Sequence, residues 1–242
     1  MKILGIDSSG LVASVAVVED GVILGEYTMN YKKTHSQTLL PMLDELRQMT
    51  ELDLNSVDAI AIAAGPGSFT GLRIGAATAK GLGLALDKPL VEVPTLEGLA
   101  YNLYGTDRLV CPLMDARRNQ VYTGIYRFVP EGNDFSLMAV EQQCAKDIRE
   151  ILARLNELQQ EVIFLGDGVP VYRNIIEQEL QVKYYYASSS NNRQRAASVA
   201  ALGAEFFARG QVVTAAEHQP EYLRKSQAER EQEEKAAQEG TV

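Results

Sequence analysis

Apolar and polar positions along the chain switch repeatedly between the two-residue rhythm of strands and the longer period of helices, and those switches predict the elements. Lys2–Asp7 reads as an apolar strand ending in an acid, Ser8-Ser9-Gly10 as a turn, and Val12–Val18 as a second strand. Asp20-Gly21 then predicts a tight hairpin into Val22–Met29. Thr34-His35-Ser36-Gln37 has the Thr-x-x-Gln form of a capping box, and opens a helix striped by Leu39, Leu43 and Leu46 with Leu40 and Met42 beside them. Val57–Ala64 is a continuous apolar run, as expected of a strand buried on both faces. The loop Gly65-Pro66-Gly67-Ser68 leads into a helix over Thr70–Leu86, then a strand at Leu90–Val93 and a short helix at Leu96–Tyr104.

The pattern then begins again. Leu109–Asp115 is a strand ending in an acid, Ala116–Asn119 a turn, and Gln120–Phe128 an alternating strand. A helix over Ala145–Leu155, a strand at Glu161–Leu165, the loop Gly166-Asp167-Gly168 and a helix through Leu180 follow. Val182–Tyr186 reads as a strand and Arg195–Arg209 as the last helix. The repeated strand–Asp–turn–strand unit predicts a two-lobed α/β protein with duplicated mixed sheets flanked by helices. Residues 1–104, joined by the C-terminal helical stretch 195–225, form one expected lobe, and 105–194 the other. Residues 226–242 are polar, rich in Glu and Gln, and read as a frayed or disordered tail.

Composition narrows the function classes. The chain of 242 residues is 46% apolar and 23% charged, with a net charge of −9, ordinary values for a globular protein but acidic ones. A chain that grips phosphodiester backbones unaided usually shows a basic face, so contact with RNA is expected only through a partner. Cys111 and Cys144 have no CxxC companion and read as small core residues of the cell interior. Lys2 is followed by only four apolar residues before Asp7, too few for a signal peptide, and no run approaches a membrane span.

Several loops are candidates for chemistry. Asp7, at a strand end beside Ser8 and Ser9, is placed either to hold a metal-bound phosphate or to cap its own turn. Asp115 ends the matching strand, and Arg117-Arg118 beside it either neutralise phosphate or line a solvated turn. Gly67 and Ser68 precede a helix whose first N–H groups favour anions, or form a tight turn with Ser68 or Thr70 as N-cap. With Gly166 and Gly168 these residues make up a candidate nucleotide site, taking ATP or ADP with magnesium. Gly71, Gly75, Ala79 and Gly83 recur every fourth residue, and such a stripe needs a closely approaching backbone, in this chain or another subunit, to offset the cost of glycine in a helix. His35 and His218 have no ligand-spaced companion, HExxH and GxSxG are absent, and His35 reads as a capping or interface residue.

Met1–Ser9, His35-Ser36-Gln37 with Leu39-Leu40-Pro41, Gly65–Gly75 and Pro220-x-Tyr222-Leu223-Arg224 together resemble the bacterial TsaB (YeaZ) family over nearly the whole chain. The Gly65–Gly75 run is the most specific of these. The resemblance implies the actin-like ATPase (ribonuclease H-like) fold. It also implies work with TsaD and TsaE in making N6-threonylcarbamoyladenosine beside the anticodon of tRNAs, with TsaD performing the transfer and TsaB its dimer partner and activator. The catalytic relative carries a His-x-x-x-His metal motif where this chain reads Thr95-Leu96-Glu97-Gly98-Leu99, so both imidazoles are missing. The resemblance further implies that the helices starting near Thr34 and Thr70 meet TsaD or a second copy of the chain, with His35, Leu39, Leu43, Gly71, Gly75, Ala79 and Gly83 at the contact. The expected role is a non-catalytic, cytoplasmic partner that touches tRNA only through the complex. The alternatives are a phosphotransferase or ATPase with its own active site at Asp7 and Asp115, and, disfavoured by the missing histidines, a glycoprotease.

Overall fold

The structure, a computed structural model, describes residues 1–31 and 33–224. The tail predicted at 226–242 lies outside the described residues. The first half runs β1 (Lys2–Asp7), β2 (Ala13–Glu19), β3 (Val22–Met29), α1 (His35–Met49), β4 (Ala59–Gly65), α2 (Phe69–Leu86), β5 (Leu90–Pro94) and α3 (Thr95–Ala100). The second runs β6 (Leu109–Asp115), β7 (Gln120–Glu131), β8 (Asp134–Asp147), α4 (Ile148–Leu158), β9 (Val162–Leu165), α5 (Gly168–Glu179), β10 (Tyr184–Tyr186) and α6 (Ala196–Ala208).

Each half folds into one five-stranded mixed sheet, ordered β3-β2-β1-β4-β5 and β10-β9-β6-β7-β8. In both, the first three strands pair antiparallel as a meander, and the fourth and fifth add on parallel beside the first. The second order is the first read backwards, with β6 in the place of β1. This duplication is the actin-like, ribonuclease H-like fold.

The hydrophobic pattern explains the layers. β4 is buried along its whole length, as a parallel central strand covered on both faces must be. Ile60 and Ile62 point into a core shared with Leu39, Leu43 and Leu46 of α1. Ala59, Ala61 and Ala63 point the other way, onto Val199, Ala200 and Leu202 of α6. Each fully buried leucine contributes about 1.5–3 kcal/mol through lost apolar exposure. The last helix among the described residues, α6, therefore packs on the first sheet, where it contacts β1, β2, β4 and β5.

Two elements differ from the pattern reading. β8 was hidden because Asp134–Asp147 is a half-buried strand at a sheet edge whose polar residues interrupt any alternation. The helix expected from Ala145 accordingly starts at Ile148, after Asp147 accepts a hydrogen bond from the Arg149 N–H at 2.9 Å. The capping box at Thr34 does not form either. Thr34 occupies the N-cap, but its side chain makes no cap bond and its hydroxyl pairs with that of Ser36.

Candidate functional site

The duplicated acids end in opposite environments. Asp7 is 1% exposed and accepts hydrogen bonds from the Ser9 N–H at 2.9 Å and the Ser9 hydroxyl at 2.6 Å. Burial pushes its carboxyl up to about 6, against the opposing pull of those two bonds. The Ser8 hydroxyl donates to the Gly71 carbonyl at 2.9 Å, and the Ser68 N–H donates to the Ser9 carbonyl at 2.6 Å. A side chain at Gly67 would collide with the Ser9 carbonyl, and one at Gly71 with that of Ser8. The N-terminus of α2 is thus clamped onto the first turn, and Asp7 caps that turn. Of the nucleotide-binding candidates, Asp7 and Ser8 are buried and bonded within the chain.

The small-residue stripe finds its close neighbour inside the chain. Gly71 and Gly75 sit against Ser8, and Gly83 against Lys88 and Ala215. Leu39, Leu43 and Ala79 belong to the buried core. His35 is half-buried, and its Nε2–H donates to the Gly10 carbonyl at 2.8 Å. The sequence-predicted contact residues are therefore used in holding α1 and α2 to their own sheet. The outward face of α2 is another stripe, Arg73, Ala77, Gly81 and Leu84, all exposed.

The segment equivalent to a metal motif is also absorbed into packing. The Thr95 hydroxyl accepts from the Gly65 N–H at 3.1 Å and is fully buried, while Leu99 lies in the core with Leu96 and Val110. A hydroxyl committed to the backbone and a hydrocarbon do not fit a metal ion. His218 is buried too, with Nδ1 2.6 Å from Glu92 Oε1, and Lys80 donates to its carbonyl at 2.9 Å. These bonds fasten the stretch after α6 across the first sheet. That stretch pairs Val213 with Leu90 and hands the Glu221 N–H to Ala64. Cys111 is buried in the second core, where desolvation pushes its thiol up to about 12.

Between the two sheets opens a cleft of about 1040 Å³. The first half contributes Ser9, Gly67, Ser68 and the start of α2; the second contributes Asp115 and its turn, Asp167 and the C-terminal Tyr222-Leu223-Arg224. Gly166 and Gly168 lie behind it, their backbones against Leu113. Of the predicted nucleotide residues, the cleft brings together Ser9, Gly67, Ser68 and Asp115. Asp115 is exposed, accepts from the Arg117 N–H at 2.8 Å and the Tyr172 hydroxyl at 3.1 Å, and donates its own N–H to Asp167. Burial raises the Asp167 carboxyl above its ordinary range. Arg117, Arg118 and Asn119 have φ of 62°, 56° and 60°, left-handed values that non-glycine residues adopt sparingly.

Four arginines line this cleft: Arg73, Arg117, Arg118 and Arg224. Arg73 lies 4.2 Å over the Phe69 ring, which in turn packs on Tyr222 at 4.4 Å. Arg224 donates to the Ala116 carbonyl and ties the C-terminal stretch to the second turn. The pattern reading singled out Arg117 and Arg118 but gave Arg73, Arg224, Phe69 and Tyr222 no role in a ligand site. Their shared location depends on residues from three distant stretches, which no spacing reveals.

Comparison with known proteins agrees with this architecture. The family model for TsaD, tRNA N6-adenosine threonylcarbamoyltransferase, matches residues 22–232. The tRNA threonylcarbamoyladenosine biosynthesis protein TsaB of Bacillus subtilis is 34% identical over 232 residues, spanning 95% of this chain and 96% of that protein. TsaB of Escherichia coli is 27% identical over 231 residues, spanning 94% and 96%. The structure of YeaZ from Pseudomonas aeruginosa matches with a TM-score of 0.77 at 28% identity, over 92% of this chain and 99% of that one. The chain belongs to the TsaB (YeaZ) family.

Proposed function

We propose that this protein is a non-catalytic partner and activator of TsaD in forming N6-threonylcarbamoyladenosine beside the anticodon of tRNAs. The observation that carries the reading is α3, where Thr95 caps Gly65 and Leu99 fills the core, leaving no imidazole pair for a transfer metal. The cytoplasm is the expected setting. TsaE completes the complex, tRNA is reached only through it, and the free chain pairs with a second copy through the surface used for TsaD.

The outward face of α2 supports that surface. Gly81 is exposed, and a side chain built there meets nothing within 4 Å. Glycine in a helix costs about 1 kcal/mol relative to alanine, and at Gly81 no contact among the described residues offsets it. A partner helix approaching closely does. Ala77 and Leu84 flank Gly81 on the same face, and Leu40, 56% exposed, adds an apolar contact from α1.

Two measurements test this. Purified chain alone shows no threonylcarbamoyl transfer, and adding it to TsaD, TsaE, ATP and threonylcarbamoyl-adenylate restores activity; transfer by the lone chain refutes the reading. Gly81→Leu leaves the unfolding temperature of the free chain unchanged or slightly higher but weakens the complex with TsaD about 100-fold, seen as loss of the heterodimer mass. An intact heterodimer would move the contact elsewhere.

The rival reading, a phosphotransferase or ATPase centred on Asp7, has less support. Asp7 spends its hydrogen bonding on Ser9 beneath the α2 clamp.

A further inference from the structure

The two halves are joined by more than chain crossings. Domains within one chain ordinarily move against each other unless the interface between them is large and apolar. Here α3, the last helix of the first half, packs on two sides at once. Leu96 and Leu99 share a core with Val110, Met114 and Tyr126 of the second sheet. On another side Gly98 lies against α6, where an added Cβ would sit 3.2 Å from Val199. Both leucines are buried, so pulling the halves apart would return their surface to water.

Asn102 fixes the crossing that follows α3. Its amide nitrogen donates to the Asn191 carbonyl at 3.0 Å and the Arg193 carbonyl at 2.6 Å. Its Oδ1 accepts from the Ser198 hydroxyl at 2.6 Å, and Asn191 returns a bond to the Asn102 carbonyl at 3.3 Å. One side chain thus joins the outgoing crossing, the returning crossing and α6. Arg193 in turn donates to the Gly166 carbonyl of the second half at 2.8 Å. A polar network whose members are satisfied holds its parts rigidly.

The stretch after α6 makes a second attachment from different residues. Val213 exchanges both backbone hydrogen bonds with Leu90 of β5, and His218 pairs with Glu92 on the same strand. The Glu221 N–H then donates to the Ala64 carbonyl at the end of β4, at 2.7 Å. Gly65, with φ of 125°, makes room for this seat, since a Cβ there would collide with the Glu221 carbonyl. From there the strap reaches the second half. Gln143 of β8 donates to the Glu221 carboxylate, and Arg224 donates to the Ala116 carbonyl. Tyr222 and Arg224 line the cleft, whereas Asn102 does not. A single attachment leaves two bodies free to turn about it, and a second one elsewhere removes that freedom. We propose that α3 with Asn102 and the strap 209–224 form a two-point clamp that holds the halves in one relative arrangement. The protein is then a rigid scaffold, with the face of α1 and α2 set at a constant angle to the second half.

Distances between spin labels on the full chain test the clamp. Labels go on Glu45→Cys of α1 and Gln178→Cys of α5, both exposed, in a Cys144→Ser background where Cys111 is buried. Dilution into unlabelled chain restricts the reading to pairs within one molecule. The parent gives a single distance distribution no wider than that of a control pair inside the second half, Gln142→Cys with Gln178→Cys. Tyr222→Ala combined with Arg224→Ala, which releases the strap from the second turn, broadens the distribution and adds longer distances while the circular dichroism spectrum is retained. Asn102→Ala does the same. If that variant fails to fold, Asn102→Asp, which keeps an acceptor for Ser198 and loses both donated bonds, takes its place. A broad or divided distribution in the parent overturns the clamp, because the halves then move with both attachments intact. A distribution that stays narrow in either folded variant also overturns it, by showing that one attachment is enough.

Discussion

The β1–β2 and β6–β7 turns occupy the same place in two copies of one topology, and each follows a strand that ends in aspartate. The first is buried and the second is open. Asp7 is 1% exposed, whereas Asp115 is solvent-exposed. What separates them is the helix that follows the fourth strand of each half. Gly67 lies just before α2 and Gly71 in its first turn, and the missing Cβ atoms let this stretch close onto Ser9 and Ser8. In the second half, Arg117, Arg118 and Asn119 take left-handed φ values in an exposed turn, and both arginines line the cleft. A duplicated fold thus used one turn for packing and left the other open to solvent.

The largest expected effect comes from undoing the clamp. Gly71→Val places a side chain into the Ser8 carbonyl, so urea unfolding should show a loss of about 3 kcal/mol or no folded protein. An unchanged midpoint would mean that the first turn is as open as the second. Gly75→Leu, whose side chain meets the Ser8 hydroxyl, should damage the free chain as well as any association.

Asp7→Asn is the sharper and smaller test. The Asp7 carboxyl is raised from 3.8 to about 6, so between those values the folded chain retains a proton that the unfolded chain has lost. Its contribution to stability is full below about pH 4, falls as pH rises through about 6, and then stays low. Asparagine keeps an oxygen for the Ser9 donors without the buried charge. At pH 7 the variant should gain about 1–3 kcal/mol, and the decline between about pH 4 and 6 should flatten in thermal scans. A variant less stable than the parent at pH 7 would show that the charged form is the one the turn requires.

Asp115→Asn gives the smallest effect. The carboxylate is exposed, and an amide oxygen can still accept from the Arg117 N–H and the Tyr172 hydroxyl. Stability at pH 7 should change by no more than about 0.5 kcal/mol. A shift as large as that at Asp7 would erase the contrast between the two turns.

Much of this was legible before folding. Apolar runs with clear ends gave β1, β3 and β6 to the residue, because each is bounded by an acid, a turn or a hairpin signal. The helix Phe69–Leu86 was equally plain, with Ser68 accepting from the Gly71 N–H at its start. β8 was not legible, since an edge strand half in solvent has no strict alternation to display. The glycine stripe announced a close approach but not what approached. Ser8 lies 63 positions from Gly71, and only the parallel pairing of β1 with β4 brings the two together.

The sequence by itself determined the duplicated α/β plan, the family likeness and the missing imidazole pair, because each is written in local spacing and residue type. Only the tertiary structure decided that the first turn is sealed, that the small-residue stripe faces inward, and that Arg73 and Arg224 join Arg117 and Arg118 in one cleft. Those outcomes depend on which distant backbones lie against each other, a property of sheet order and helix placement rather than of any segment.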